Sequence, residues 1–208
     1  MVEDVALAKQ KRSWSEYLLA NRGRGIRPTL NQAATSCEEA VSVERVLFAV
    51  DLGCGSGADT IALLKRGWRV LAVDGEAEAI EYLNADVPPE VTGNLETRVQ
   101  RFQDVELPEC DLLHAGFSLP FCPPDDFPEL WRKIRESERP GARFAGQFFG
   151  PRDTWAANPR INSQTVESVA ELTAGWLLEE CREEEGMGSS LAGEKYWHVI
   201  HVIAHRPK

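Results

Sequence analysis

A doubly wound α/β fold, a mostly parallel sheet with helices on both faces, is predicted by three features of the stretch from Val46 to Glu76. Val46 to Val50 is a continuous apolar run, the pattern of a parallel strand covered by helices on both sides. Gly53, Gly55 and Gly57 then alternate, which lets the chain turn sharply into a helix and keeps Cβ atoms away from a ligand lying on the turn. Trp68 to Val73 is a second apolar strand ending on Asp74, where a carboxylate can accept hydrogen bonds from both hydroxyls of a ribose.

The turn alone fits two cofactors. Gly53-Cys54-Gly55-Ser56-Gly57-Ala58 satisfies the G-x-G-x-x-G/A pattern of dinucleotide sites. Asp51, two residues before the first glycine, extends it to D-x-G-x-G-x-G and brings a carboxylate to where a dinucleotide carries its pyrophosphate. That anion would be repelled, whereas the ammonium group of a methionine moiety would be attracted. The acid therefore favours S-adenosylmethionine (SAM) over NAD. With the strand before it and the acid after it, D-L-G-C-G-S-G resembles the SAM-binding core of class I methyltransferases.

The resemblance implies a seven-stranded sheet of order 3-2-1-4-5-7-6 with the last strand antiparallel. It implies SAM as cofactor, S-adenosylhomocysteine (SAH) as product, and a cofactor site made by Asp51, Gly53, Cys54, Gly55, Gly57, Asp74, Gly75, Asp104, Ala115 and Gly116. KYWHVIHVIAHRP near the end and GQFFGPRDTW before it look like a subgroup of small bacterial methyltransferases related to tellurite-resistance enzymes. Methyltransferases acting on planar nitrogen can carry Asn or Asp before Pro-Pro-aromatic; Phe121-Cys122-Pro123-Pro124-Asp125 departs from that pattern and excludes the subtype.

Bulk composition narrows the class. A chain of 208 residues is a single domain overall, divided into a helical extension or lid over 1–42 and a SAM-binding domain over 43–208. The net charge of −10 argues against a nucleic-acid footprint and for a small substrate. Five scattered cysteines without C-x-x-C favour a reducing compartment. With no apolar run of spanning length and no secretory h-region, the reading is a cytoplasmic protein away from membranes, as a monomer or homodimer.

Taken in order, residues 1 to 12 read as a short helix, and Ser13 with Glu16 has capping-box spacing for a helix from Trp14 to Asn21 that stops at Gly23. Trp14, Tyr17 and Leu18 share its apolar face, either as a lid over the cofactor crevice or as packing on the sheet edge. The basic residues Lys9, Lys11, Arg12, Arg22, Arg24 and Arg27 read as a solvated face, with Arg22, Arg24 or Arg27 as alternatives to hold the methionine carboxylate. Leu30 to Val41 is the next helix. The helix after the glycines starts at Ala58 or Asp59 and ends at Gly67, and another spans Glu76 to Asn84.

Glu96 to Phe102 alternates as a third strand, with Asp104 at its carboxyl end, where the resemblance implies a contact to the adenine amine. Cys110 to Phe117 is the fourth strand, beside the first at the topological switch. His114, Ala115, Gly116, Phe117 and Ser118 would thus border the transferred methyl, with Phe117 and Ser118 on the substrate side. Asp126 to Glu138 is helical, Arg139-Pro140-Gly141 a turn, and Ala142 to Phe149 the fifth strand. The aperiodic stretch from Phe149 to Gln164 reads as a functional or mobile loop offering Arg152, Asp153 and Trp155 to substrate, with Trp155 as a mere anchor of the loop to the core as the alternative. Thr165 to Ala174 is helical, Trp176 to Glu184 a strand, Glu183 to Gly193 an acidic hairpin connection, and Lys195 to His205 the last strand.

No residue is compelled to be catalytic, because SAM is intrinsically reactive and a base is needed only if the acceptor must lose a proton. His114 and His198 are the candidates. His198 and His201 point to opposite faces of a strand and cannot share an ion; His201 and His205 could, but no metal site is expected. A dehydrogenase using NAD and a non-catalytic module binding SAM or SAH remain the alternatives.

Overall fold

The computed structural model describes residues 14–41, 45–190 and 193–208. The described residues form one seven-stranded sheet in the order β3-β2-β1-β4-β5-β7-β6. β1 (Phe48–Leu52), β2 (Arg69–Asp74), β3 (Leu95–Val99), β4 (Cys110–Ala115) and β5 (Glu138–Phe149) run parallel. β7 (Gly193–His205) runs antiparallel between β5 and β6 (Leu177–Ser190). The helices are α1 (residues 14–21), α2 (Pro28–Glu39), α3 (Ala58–Lys65), α4 (Ala77–Asp86), α5 (Phe127–Ser137) and α6 (Val166–Leu172). The expected helix over 1–12 and the Ser13 cap lie outside the described residues.

Burial on both faces accounts for the unbroken apolar strands. Val50, Leu113, Phe144, Phe148 and Ile200 pack with Trp131 and Ile134 of α5 and Val169 of α6. On the other face Ala49, Val70, Leu112, Ala145 and Ile203 meet Leu30, Ala33 and Ala34 of α2 and Leu63 and Leu64 of α3. Alternation along β5, β4 and β7 therefore fixes which side chains reach each layer.

Four expected boundaries are corrected. β1 continues through Asp51 to Leu52, because Asp51 is paired on both sides, with Ala72 of β2 and His114 of β4. Arg139-Pro140-Gly141 is no turn: β5 starts at Glu138, and Gly141 at φ 89 absorbs a register shift in which Cys110 pairs Glu138 but Leu112 pairs Arg143. The acidic stretch after Glu183 is strand as far as Ser190, since the full backbone ladder to β7 holds it and Arg152 and Arg182 offset its charge. β3 stops at Val99 and the chain turns with Asp104 N donating to Arg101 O at 3.0 Å.

Gly57 opens α3 at φ 85, and a Cβ there would lie under 3 Å from Leu83 of α4. Gly57→Ala should therefore destabilise the protein by about 2–4 kcal/mol, from the left-handed backbone and the overpacked contact together. Urea unfolding measures it, and a loss below about 1 kcal/mol would show that α4 yields freely.

Candidate functional site

The glycine bend is held by its backbone. Gly53 and Cys54 donate their N–H groups to Val73 O at 2.7 and 3.0 Å, drawing the bend over the end of β2. Asp74 completes the stitch: Oδ2 accepts from Gly55 N and Oδ1 from Glu76 N, both at 2.9 Å. A Cβ on Gly53 would lie under 3 Å from Ser118, whose hydroxyl donates to Leu52 O at 2.5 Å. The missing side chain thus lets the segment after β4 close against the segment after β1.

The three acids mark the carboxyl ends of adjacent strands. Asp51 is 1% exposed and accepts from the Thr60 hydroxyl at 2.6 Å. Burial raises its pKa, and burial likewise raises that of Asp74. Burial and these two carboxylates also push the Cys54 thiol well up, so Cys54 is inert and serves by its backbone. Asp104 stands exposed in the turn after β3, and Gly75 faces Arg101, at the start of that turn.

A charge cluster centred on Asp59, in the first turn of α3, was not among the expected site residues. Arg27 donates to it through its backbone N at 2.9 Å and its guanidinium at 2.5 Å. Arg24 adds a second guanidinium. His114 places Nε2 3.3 Å from the same carboxylate and Nδ1 2.9 Å from Ala145 O. Burial opposes charge on His114, but the hydrogen bond and charge of Asp59 outweigh it and raise the pKa. Burial is outweighed in the same way at Asp59, whose pKa is lowered by His114 and Arg27.

Neither His114 nor the arginines are free. Both ring nitrogens of His114 are engaged, one by Ala145 O and the other by Asp59. Arg22 forks onto Asp86 of α4 with both bonds at 2.6 Å and lies 5.0 Å over Tyr82. Around it, α1 bridges the crevice: Ser15 donates to Glu78, Leu18 is buried against the Gly55 turn, and Trp14 meets Phe121 edge-on at 4.9 Å.

Beyond β4 lies an aromatic cluster. Phe117 has φ 60, a left-handed backbone unusual for a bulky side chain. Its ring centroid is 6.4 Å from Phe149, 6.5 Å from Trp197 and 6.4 Å from His201. Lys195 is 3% exposed, pairs with buried Asp153 at 2.5 Å, and sits 3.8 Å from the centroids of Trp155 and Trp197 and 4.5 Å from that of Phe149. Burial lowers its pKa, against the pull of Asp153. Trp155 is thus one wall of this cage.

Arg152 and His198 belong elsewhere. Arg152 reaches Glu185 and Glu183 on β6, and His198 Nε2 lies 2.7 Å from Glu183 beneath Gly150. Glu183, Glu185 and His198 have the spacing of a metal ligand set among the described residues, yet the Arg152 guanidinium already contacts all three. Lys195 and Gln147 were not among the expected site residues, and His201 was weighed only as a metal ligand or a buried or pocket-edge histidine. Period-two alternation along Lys195, Trp197, Val199 and His201 was the signal that could have placed Lys195 and His201 on the cluster's face.

Comparison with known proteins agrees with this geometry. Residues 49–141 match the family described as a methyltransferase domain. Over 70 residues the chain is 36% identical to the magnesium-protoporphyrin O-methyltransferase of Rhodobacter capsulatus, a match covering 34% of this chain and 31% of that protein. Its fold is similar to TehB of Haemophilus influenzae, with a TM-score of 0.70 and 18% identity over 87% of this chain and 62% of that one. It is also similar to a Burkholderia thailandensis 1,6-didemethyltoxoflavin-N1-methyltransferase solved with that heterocycle and SAH, with a TM-score of 0.69 and 18% identity over 100% of this chain and 89% of that one. The chain spans about a third of the protoporphyrin enzyme and about three-fifths of TehB.

Two outcomes follow from the buried charges. Because folding raises the His114 pKa above 6.5, its pairing stabilises fully below that pH and the contribution fades as pH rises through the folded-state value. His114→Asn should thus cost more unfolding free energy near about pH 5.5 than near about pH 8.5 in urea titrations, and an equal cost would refute the charged pairing. Lys195→Ala leaves the buried Asp153 carboxylate without its counter-charge, held only by the backbone N–H groups of Trp155 and His198, and should cost about 3–5 kcal/mol. A loss under about 1 kcal/mol would show that the loop relaxes and hydrates Asp153.

Proposed function

We propose that the chain, whose residues 49–141 match a family described as a methyltransferase domain, transfers a methyl group from SAM to a small-molecule nucleophile. The observation carrying this reading is the Cβ-free bend at Gly53 and Gly55, closed on one side by Ser118 and on the other by Asp74. It is a cradle shaped for a nucleoside and flanked by acids instead of bases.

The residues present fit the cofactor. Asp74 uses one acceptor direction per oxygen on the bend, so each oxygen keeps a lone pair for a ribose hydroxyl. Asp104, exposed after β3, is available to the adenine amine. Asp51 lies beneath the bend, where burial raises its pKa, and it reaches the site through Thr60, whose hydroxyl donates to it. A Cβ on Gly116 would lie under 3 Å from His114 Nε2, so only glycine lets the backbone lie flat at the end of β4, where Ala115 and Gly116 would border the sulfonium.

When bound, SAM supplies an electrophilic methyl: the acceptor's lone pair forms the new bond as the carbon–sulfur bond breaks toward sulfur, any acceptor proton passing to solvent. The chain's own part is orientation and exclusion of water, which together supply roughly 7–11 kcal/mol in well-oriented reactions. α1 contributes by spanning the crevice from α4 to Phe121.

A small acceptor is supported by the net charge of −10, by the confined aromatic cluster, and by relatives named for action on a porphyrin and a toxoflavin precursor. Five free thiols, four of them buried, suit a cytoplasmic setting; among the described residues no helix is long and apolar enough to cross a membrane. A dehydrogenase reading is disfavoured by the acid at position 51, which lies buried beneath the bend on Thr60 and offers nothing to offset a pyrophosphate's charge.

Calorimetry should show binding of SAH and none of NADH. Asp104→Ala, at an exposed position that leaves the fold alone, should weaken SAH binding roughly tenfold or more, the worth of a hydrogen bond to a charged group. Retention of NADH without SAH would end the cofactor reading; unchanged SAH affinity in Asp104→Ala would remove the adenine role from that residue.

A further inference from the structure

Gln147 of β5 is 1% exposed, and its Oε1 has no hydrogen-bond partner among the described residues. Leaving such a group unpaired typically costs about 1–3 kcal/mol. Its position makes the unpaired oxygen informative. The β4–β5 register pairs Ala115 with Gly146, which sets Gln147 beside Gly116 at the topological switch. Directly across β7 it faces His201. Alternation puts it on the sheet face of Ala145 and Phe149, toward the rings after β4.

The surroundings are planar and mostly uncharged. Phe117, Phe149 and Trp197 stand at centroid separations of 5.9 to 6.5 Å, and the Arg27 guanidinium lies 5.2 Å over Phe117 while remaining tied to Asp59. His201, 3.4 Å from the Thr29 hydroxyl and with Nε2 3.4 Å from Glu184 on the exposed edge, has its pKa lowered by burial. The one ammonium in the cluster, Lys195, is neutralised by Asp153.

We propose that Gln147 reads the methyl acceptor: the substrate is a planar ring held against Phe117, Phe149 and Trp197, carrying an N–H or O–H that donates to Gln147 Oε1. This rests on the methyltransferase reading and narrows it. A compact chalcogen oxyanion or a thiolate would leave the aromatic walls unfilled and press negative charge on an unpaired carbonyl oxygen. A ring with a donor on its edge satisfies both.

Two probes of matched shape test this without any mutation. In the presence of SAH, 2-naphthol should bind the full chain roughly tenfold more tightly than 2-fluoronaphthalene, which keeps the rings and lacks the donor. Gln147→Met, of similar volume, should erase that preference while leaving 2-fluoronaphthalene and SAH affinities unchanged. Equal affinities in the wild type, or a preference that survives Gln147→Met, would overturn the assignment. So would methylation of tellurite or 2-mercaptoethanol in the absence of binding by either planar probe. SAH titrated alone separates the failures: SAH bound with no planar probe bound rejects the ring acceptor only, and no SAH bound rejects the cofactor reading and this one with it.

Discussion

The site depends on a steric constraint, the absence of side chains at positions where backbone must touch a neighbour. Gly53 lies where any Cβ would strike Ser118, and Gly57 where it would strike Leu83. These contacts tie the bend to the end of β4 on one side and to α4 on the other. Asp74 then fixes its height through Gly55 N. The cleft at the switch point is therefore a result of backbone proximity, which side-chain chemistry only finishes.

That proximity is what makes the charges beneath it tolerable. Burying Asp51 and Asp59 so close together would be expensive in isolation, since desolvation opposes each carboxylate and each opposes the other. Arg24, Arg27 and His114 converge on Asp59, and Thr60 supplies Asp51. The segment carrying Arg24 and Arg27 is thereby held at the mouth of the cleft, and the same Arg27 extends over Phe117. Cofactor half and acceptor half share one electrostatic support, so strain or loss at Asp59 would be felt in both.

How much of this could be read from residues alone follows from the range of the forces involved. The glycine bend, its strands and the helices after them are local, set by periodicity and backbone freedom within about thirty residues, and they stand where the pattern puts them. The order of the strands came with the resemblance carried by D-L-G-C-G-S-G. The edge was harder: β6 continues through acidic residues because β7 supplies a ladder that no local propensity for Glu-Glu-Glu would suggest. The partners of Asp59 were out of reach for the same reason, since Arg24, Arg27 and His114 come from separate elements and only the fold joins them. His198 and His201 could be told to lie on opposite faces of a strand, but which face meets the rings after β4 depends on pairing with β5.

The aromatic cage also decides what the acceptor pocket is not. The rings of Trp155, Trp197 and Phe149 have the composition used to hold organic cations, and on composition alone they would be taken for a site that selects a cationic substrate. Lys195 already fills it, with its ammonium 3.8 Å from two ring centroids and its charge answered by Asp153. Expelling it would uncover two buried charges, a cost a small cation could recover only by reproducing the same contacts. The cage is therefore the rigid far wall of the pocket, anchoring the loop after β5 through Asp153 and Trp155. The group left for recognition is Gln147, between Gly116 and His201, whose buried Oε1 is unpaired among the described residues.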